Sequence, residues 1–289
     1  MFDSIEFLTR VNLNKPVRVG GRVGVIGGGN AAVDAARVAL RLNECQSVQV
    51  IYRRTRAEMP AFAEEVDALV EEGAELRLLT APAAILARNG TLTGVRCTRM
   101  ELGEPDESGR RRPVPVPGSE FDIPLDTLLV AIGEDPDLKF LGRESGIDVS
   151  RRGTAMVAKE TQATGRAGVF AGGDAVTGPD TVVAAMAAGK VAAEMIDNYL
   201  RGAAVQRHYD LVRPSHYVPP VAPAEQEDAP VEMPVRVEVS LLPVAERLGG
   251  FAEVELTLTE EQAMREAGRC LRCDLQTEDA KRQLVNLDH

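Results

Sequence analysis

Tryptophan is absent from the 289-residue sequence, and the aromatic complement is limited to four tyrosines and seven phenylalanines. So sparse a set argues against a surface on which nucleic-acid bases stack. An excess of positive charge is missing as well. Against 44 acidic residues stand 33 basic ones, and the formal charge of −11 repels nucleic acid and anionic membranes. No apolar run reaches the roughly 18 residues that a bilayer crossing requires, so no membrane span is expected. Met1 to Arg10 lacks the basic-then-apolar order of a secretory signal, which makes the cytoplasm, with reduced thiols, the expected compartment. Histidine occurs three times, as His208, His216 and His289, all in a proline-rich stretch or at the end of the chain. No side-chain acid, base or nucleophile is therefore expected to carry chemistry.

What is present is an ordinary globular mixture, 44% hydrophobic and 27% charged, long enough for about two domains. Val23–Ile26 reads as a short apolar strand, three glycines follow, and Ala31–Leu42 is an alanine-rich helix. Val48–Tyr52 reads as a second strand, Ala61–Glu72 as a helix closed by Gly73, and Glu75–Leu79 as a third strand. This alternation predicts a parallel sheet with helices on its faces. Residues 84–124 change to strand-like runs broken at Asn89-Gly90 and at Gly103–Arg112, which predicts an antiparallel hairpin or meander on the unit's edge. The cluster Arg110–Arg112 reads as a solvated loop.

Asp126–Ile132 is then a second buried strand of the unit, and residues 134–166 read as an irregular crossover. Gly168–Ala171 reads as a buried strand followed by Gly172-Gly173-Asp174 and a helix from Thr181 to Leu200. Seven prolines between 214 and 243 suggest an extended arm. A capping box of Thr259 and Gln262 opens a final helix, expected to run to about Cys273.

Gly27-Gly28-Gly29-Asn30-Ala31-Ala32 fits G-x-G-x-x-A between a strand and a helix. In that pattern the first glycine makes the tight turn, Gly29 lets the backbone approach a pyrophosphate, and Ala32 allows close helix–strand packing, while the helix start offers free N–H groups. A dinucleotide site follows. Where NAD-binding units place an acidic residue at the end of the second strand, this sequence has Arg53-Arg54, whose guanidinium groups suit a 2′-phosphate. NADPH is the expected nucleotide.

Gly27-Gly-Gly-Asn30, Tyr52-Arg-Arg54, Glu58-Met-Pro60, Ala131-Ile-Gly133 and Gly168-Val-Phe-Ala-Gly-Gly-Asp174 occur in the order seen in the glutamate synthase small-subunit-like family, which this sequence resembles from about Ile5 to Arg201. Members of that family are NAD(P)H- and FAD-dependent oxidoreductases of the pyridine nucleotide–disulfide reductase fold. The resemblance implies an α/β chain with an entry linker at 1–19 and a Rossmann-type NADPH-binding domain at 20–135. The C-terminal half of an FAD-binding domain would follow at 136–202, then an extended arm at 203–255 and a C-terminal helix within 256–289. It implies cofactor contacts at Ile132, Gly133 and Gly173, with Asp174 on the flavin's ribityl chain. Thr181, Val182 and Val183 would present helix-start N–H groups to the isoalloxazine.

The family's first FAD-binding glycine unit and its upstream iron–sulfur domain have no counterpart here. A subunit or segment supplying that unit, and an electron-acceptor subunit, are therefore expected partners. Cys270-Leu-Arg-Cys273 resembles the opening of the family's four-cysteine cluster domain and implies a partial site for a [4Fe–4S] cluster shared with a partner, with an inert pair, a redox disulfide and half a zinc site as alternatives. The expected function is hydride transfer from NADPH to FAD and onward to iron–sulfur centres or a partner. The rival is a truncated NADPH-binding assembly or regulatory subunit without flavin.

Overall fold

Residues 1–106, 109–142, 144–207 and 235–269 are described by the computed structural model. They fall into two units, Met1–Gly133 with Ser240–Leu256, and the described residues of Glu134–Val239 and Thr257–His289.

The first unit begins with β1 (Phe2–Asp3) and α1 (Ser4–Asn12), whose N-cap Asp3 accepts from the amides of Ile5 and Glu6 at 2.9 and 3.2 Å. There follow β2 (Arg22–Ile26), α2 (Asn30–Leu40), β3 (Ser47–Ile51), α3 (Ala63–Glu71) and β4 (Glu75–Arg77). Then come β5 (Thr80–Arg88), β6 (Thr91–Pro105), β7 (Arg111–Pro115), β8 (Phe121–Pro124) and β9 (Thr127–Val130). Five strands form an all-parallel sheet in the order β1-β9-β2-β3-β4, with Val25 registered between Val50 and Leu129. The linker expected at 1–19 is thus a correction: Phe2 pairs with Leu129, and Phe7 of α1 is fully buried in the core.

Side chains alternate across the sheet, and each face has its own cover. Val23, Val25, Val48, Val50 and Leu129 meet the alanines of α2, with Phe7 of α1 and Val66 and Leu69 of α3. Ile26, Ile51 and Leu128 look the other way, onto Val95, Cys97, Ile123 and Leu125. The antiparallel strands therefore cover the sheet's second face rather than its edge, and among the described residues the helices of this core pack on the first. Gly24 marks the contact, since a methyl there would collide with the Leu125 side chain. The β5–β6 hairpin turns at Asn89 and Gly90, both at positive φ (51° and 75°), as a two-residue turn of this hand requires. A carboxylate ties α2 to the end of α3: Glu72, with a fully buried side chain, accepts from Arg37 at 2.8 Å and Arg41 at 2.7 Å, and Arg37 also pairs with Glu65.

In the second unit, α4 (Asp174–Thr177) and α5 (Val182–Leu200) follow a run of isolated bridges, Val149 to Ala155, Val157 to Thr164 and Ala163 to Phe170. The buried strand expected at Gly168–Ala171 is not formed. Phe170 alone is bridged, and a strand needs a ladder of partners that the described residues do not supply. The arm expected at 203–255 is also corrected in part, because α6 (Val244–Leu248) belongs to the first unit. There buried Arg247 donates to Glu71 at 2.7 Å and to the Leu242 carbonyl. Finally α7 (Glu260–Ala267) opens with the expected capping box, Thr259 accepting from the Gln262 amide at 3.2 Å and Gln262 from the Thr259 amide at 2.9 Å. The helix ends at Ala267 with Gly268 as its C-cap, which corrects the expected run to about Cys273; Cys270, Cys273 and the three histidines lie outside the described residues. No helix among the described residues is long and apolar enough to cross a membrane.

Candidate functional site

At the carboxyl end of β2 the chain turns at Gly27 with φ of +147°, a backbone that side chains resist, and a methyl there would lie on the Ala131 carbonyl oxygen and 3.0 Å from the Ala32 Cβ. Gly27 thereby brings β2, β9 and α2 into close packing, with Ala32 wholly buried between them. Gly28 is held by a different neighbour. A Cβ at Gly28 would stand 2.5 Å from the ring of Tyr52, whose phenol donates to the Glu58 carbonyl at 2.6 Å. Gly29 is different again: a side chain there would meet only Pro60, at 3.8 Å. The space above Gly29 is open, as a site for phosphates needs to be.

Gly29 is the N-cap of α2 and no side chain caps the helix. The Ala32 and Val33 amides bond back to the Gly29 carbonyl, whereas those of Asn30 and Ala31 have no acceptor among the described residues. An eleven-residue helix thus points an uncapped, partly positive end at open space, the electrostatics of an anion site.

Asn30 is exposed, and its Oδ1 accepts from the Phe62 amide at 3.0 Å, while the Gly28 carbonyl accepts from the Ala61 amide at 3.2 Å. These two bonds lace the glycine turn to Ala61 and Phe62, directly after the Glu58-Met59-Pro60 segment. The same segment is braced by a 3-10 turn (Arg56–Glu58) whose Thr55 and Glu58 cap each other, and chiefly the Thr55 hydroxyl holds the Glu58 carboxyl below the usual range. The sequence gives the Glu58-Met-Pro60 motif no role. Its structural job is to form the far wall of the glycine turn.

The two arginines after β3 part company. Arg53 is exposed and has no hydrogen bond or ion pair among the described residues. Arg54 is 5% exposed, pairs with Asp106 at 2.7 Å and donates from Nε to the Arg111 carbonyl at 2.7 Å. Alternation at a strand end turns neighbours to opposite sides, so only one of the pair can look outward. Arg111, expected in a solvated loop, lies in β7 with its own guanidinium on the carbonyls of Leu102 and Gly103, at 2.8 and 3.2 Å. Ile132 (75% exposed) and Gly133 (φ +134°) follow β9 at the same carboxyl edge of the sheet.

The second unit gathers the other expected residues around the start of α5. Gly172 and Gly173 pack on that helix, where side chains would meet the Cβ atoms of Ala188 at 2.9 Å and Ala185 at 3.2 Å. Gly173 (φ +65°) is the N-cap of α4, and Asp174 is exposed with its carboxylate unbonded among the described residues. Thr181 caps α5 by accepting from the Ala184 amide at 3.2 Å; Val182 and Val183 are each 76% exposed, and their amides have no acceptor among the described residues. No group of three or more metal-binding side chains occurs among the described residues. Cys45 and Cys97 are free thiols, and burial pushes Cys97 up to about 11.

Residues 2–189 match the model of the pyridine nucleotide-disulphide oxidoreductase family. The NADP(+)-dependent formate dehydrogenase subunit beta of Moorella thermoacetica is 45% identical over 93% of this chain and 38% of its own length. The NADPH-Fe(3+) oxidoreductase subunit beta of Geobacter sulfurreducens is 40% identical over 93% and 44%, and the glutamate synthase [NADPH] small chain of Azospirillum brasilense 38% identical over 70% and 41%. The chain therefore spans less than half the length of these curated relatives. Thioredoxin reductase of T. acidophilum shares the fold, with a TM-score of 0.52 at 22% identity over 68% of this chain and 56% of that one. With the family's model covering both the glycine turn and the start of α5, this chain belongs to the pyridine nucleotide-disulphide oxidoreductase family.

Proposed function

We propose that this chain is the NADPH-binding portion, and part of the FAD-binding portion, of a flavin-dependent oxidoreductase. The observation that carries the reading is the uncapped start of α2 under an open Gly29, with exposed Arg53 at the end of the neighbouring strand where an acidic residue would select NAD. The amides of Asn30 and Ala31 in the Gly27–Ala32 turn would hold the pyrophosphate, Arg53 the 2′-phosphate, and Ile132 and Gly133 the side of the nucleotide facing β9. The names of the three relatives, each with NADP(+) or NADPH, support this choice.

For the flavin, Asp174 with its unengaged carboxylate would orient the ribityl hydroxyls. The amides of Val182 and Val183, at the capped start of a nineteen-residue helix, would face the ring where negative charge gathers. When bound, FAD would accept hydride from NADPH and release electrons singly or in pairs. Two relatives are named as beta subunits, which supports a partner that completes the flavin site and takes the electrons. Cys270 and Cys273 would add ligands to a [4Fe–4S] cluster at that junction. The cytoplasm is the proposed compartment.

Titration of the chain with NADPH and NADH tests the reading. Tighter binding of NADPH that Arg53→Ala reduces by roughly tenfold to a hundredfold, with NADH unaffected, is the expected result. Equal affinity for both nucleotides, unaltered by Arg53→Ala, removes it.

A further inference from the structure

Arg53 and Arg54 are chemically alike and adjacent, yet the structure uses them differently. The Arg54 fork is spent: Nη2 holds Asp106 just beyond β6, Nε holds the Arg111 carbonyl in β7, and the side chain is 6% exposed. Its backbone carbonyl is taken as well, by the Leu79 amide at 3.0 Å. The strand pair it grips is itself locked, because Arg111 bonds the Leu102 and Gly103 carbonyls of β6. We infer that Arg54 is a positioning residue and not a nucleotide contact: with Asp106 it pegs the β6–β7 pair against the end of β3, and that pair forms the second wall of the pocket in which Arg53 meets the 2′-phosphate. The inference rests on the NADPH reading above.

Two observations and one physical argument lead to this wall. Arg111 lies close enough to the turn after Arg54 for its charge to help hold the Glu58 carboxyl down. Arg112, next along β7, is exposed and has no partner among the described residues, so the wall carries a second outward cation. Finally, a buried ion pair adds little net stability because desolvation offsets attraction, and its best-attested use is to fix one arrangement. A guanidinium bonded to a carboxylate and to a carbonyl is suited to that task, since the planar fork fixes direction as well as distance.

Asp106→Asn separates the two roles by sign. Were Arg54 a ligand held back by Asp106, removing the counter-charge would release it and tighten NADPH binding. As a peg it would lose its grip, and the wall would shift. The expected result, in the full chain, is a drop of about three- to tenfold in the preference for NADPH over NADH, with the NADH Kd unchanged. A higher preference, or an unaltered one with the NADH Kd also unchanged, overturns the inference. Should Asp106→Asn weaken both nucleotides together, Arg54→Lys decides the matter, because lysine keeps the charge and cannot hold both acceptors. A selective loss of NADPH supports the peg, and an unaltered preference or a matched loss of both nucleotides overturns it. Arg53→Ala is measured alongside: if it leaves the preference unaltered, the 2′-phosphate reading itself has failed, whatever Arg54 does.

Discussion

The ring of Tyr52 stands over Gly28 so closely that one added methyl would lie 2.5 Å from it, and the phenol is anchored at 2.6 Å on the Glu58 carbonyl. This contact sets the distance between the glycine turn and the segment that faces it. Gly28→Ala should push the ring off its anchor and destabilise the first unit by about 1–3 kcal/mol, the usual cost of overpacking. Thermal unfolding measures it. If the clash is the cause, Tyr52→Leu in the same chain should recover part of the loss, and simple additivity of the two changes would refute it.

Gly29→Val should behave in the opposite way. The backbone is extended there, φ −92°, and a side chain would meet only Pro60 at 3.8 Å, so the fold has no reason to object. A bound dinucleotide would, because the valine would fill the space proposed for its pyrophosphate. An unaltered melting temperature with loss of NADPH binding is expected. A variant that melts normally and binds normally would make the third glycine dispensable.

Why some of this was readable in the sequence and some was not follows from range. Val23, Val25, Val48 and Val50 announce buried strands through local composition, and Thr259 with Gln262 announces a helix start through a local bond pair. β1 is two residues long and pairs with a strand at the far end of the unit's sequence, so no window contains its signal. Local clues to α1 are the capping residue Asp3 and the apolar spacing of Phe7, Leu8 and Val11. Strands that cover a face and strands that extend an edge carry the same alternation, and only Gly24 beneath Leu125 tells them apart. The separate fates of Arg53 and Arg54 were implicit in strand alternation, but the partner that claims Arg54, Asp106, lies beyond three further strands.

Acid should loosen the first unit through Glu72. Burial alone would push its carboxyl up, but hydrogen bonds from Arg41 and Arg37, with their charges, hold it below the usual range. A carboxyl depressed in the folded state contributes stability above its unfolded value, about 4.3, and loses that contribution as the pH falls through the lower folded value. Glu72→Gln should therefore cost about 3 kcal/mol at neutral pH, the low end for a broken buried pair because Arg37 keeps Glu65. The variant should also lose less stability than the wild type on going below pH about 4.3. Urea unfolding at several pH values would show parallel curves if Glu72 were not responsible.

Cys97 should resist alkylation. It is fully buried between the sheet and the antiparallel strands, and burial, with the charge of Asp122 adding, holds its thiol at about 11. The reactive thiolate is scarce and the sulfur has no path to the reagent. Mass spectrometry after brief iodoacetamide treatment at mildly alkaline pH should find Cys97 unmodified until denaturant is added. Labelling in the folded state would mean that the second face of the sheet opens readily.

The last prediction concerns flavin retention. FAD has two ends, and each needs its own support: the isoalloxazine and ribityl end would use Asp174 and the start of α5, whereas the adenosine diphosphate end calls for a glycine-rich turn with free amides. The glycine turn at Gly27–Ala32 is assigned to NADPH, and the sequence holds no second G-x-G-x-x-G or G-x-G-x-x-A directly joining an apolar strand to a helix. At 76% exposure, Val182 and Val183 would also leave a flavin held there open to water. The 289-residue chain, purified by itself, should therefore bind NADPH yet lose FAD on gel filtration, leaving little absorbance at roughly 450 nm. Mixing it with a polypeptide that carries a strand–glycine turn–helix unit of its own should restore the absorbance and shift both chains to one larger species. A monomer that carries stoichiometric FAD through the column would require a flavin site built from other residues, and would reassign Asp174 and the start of α5.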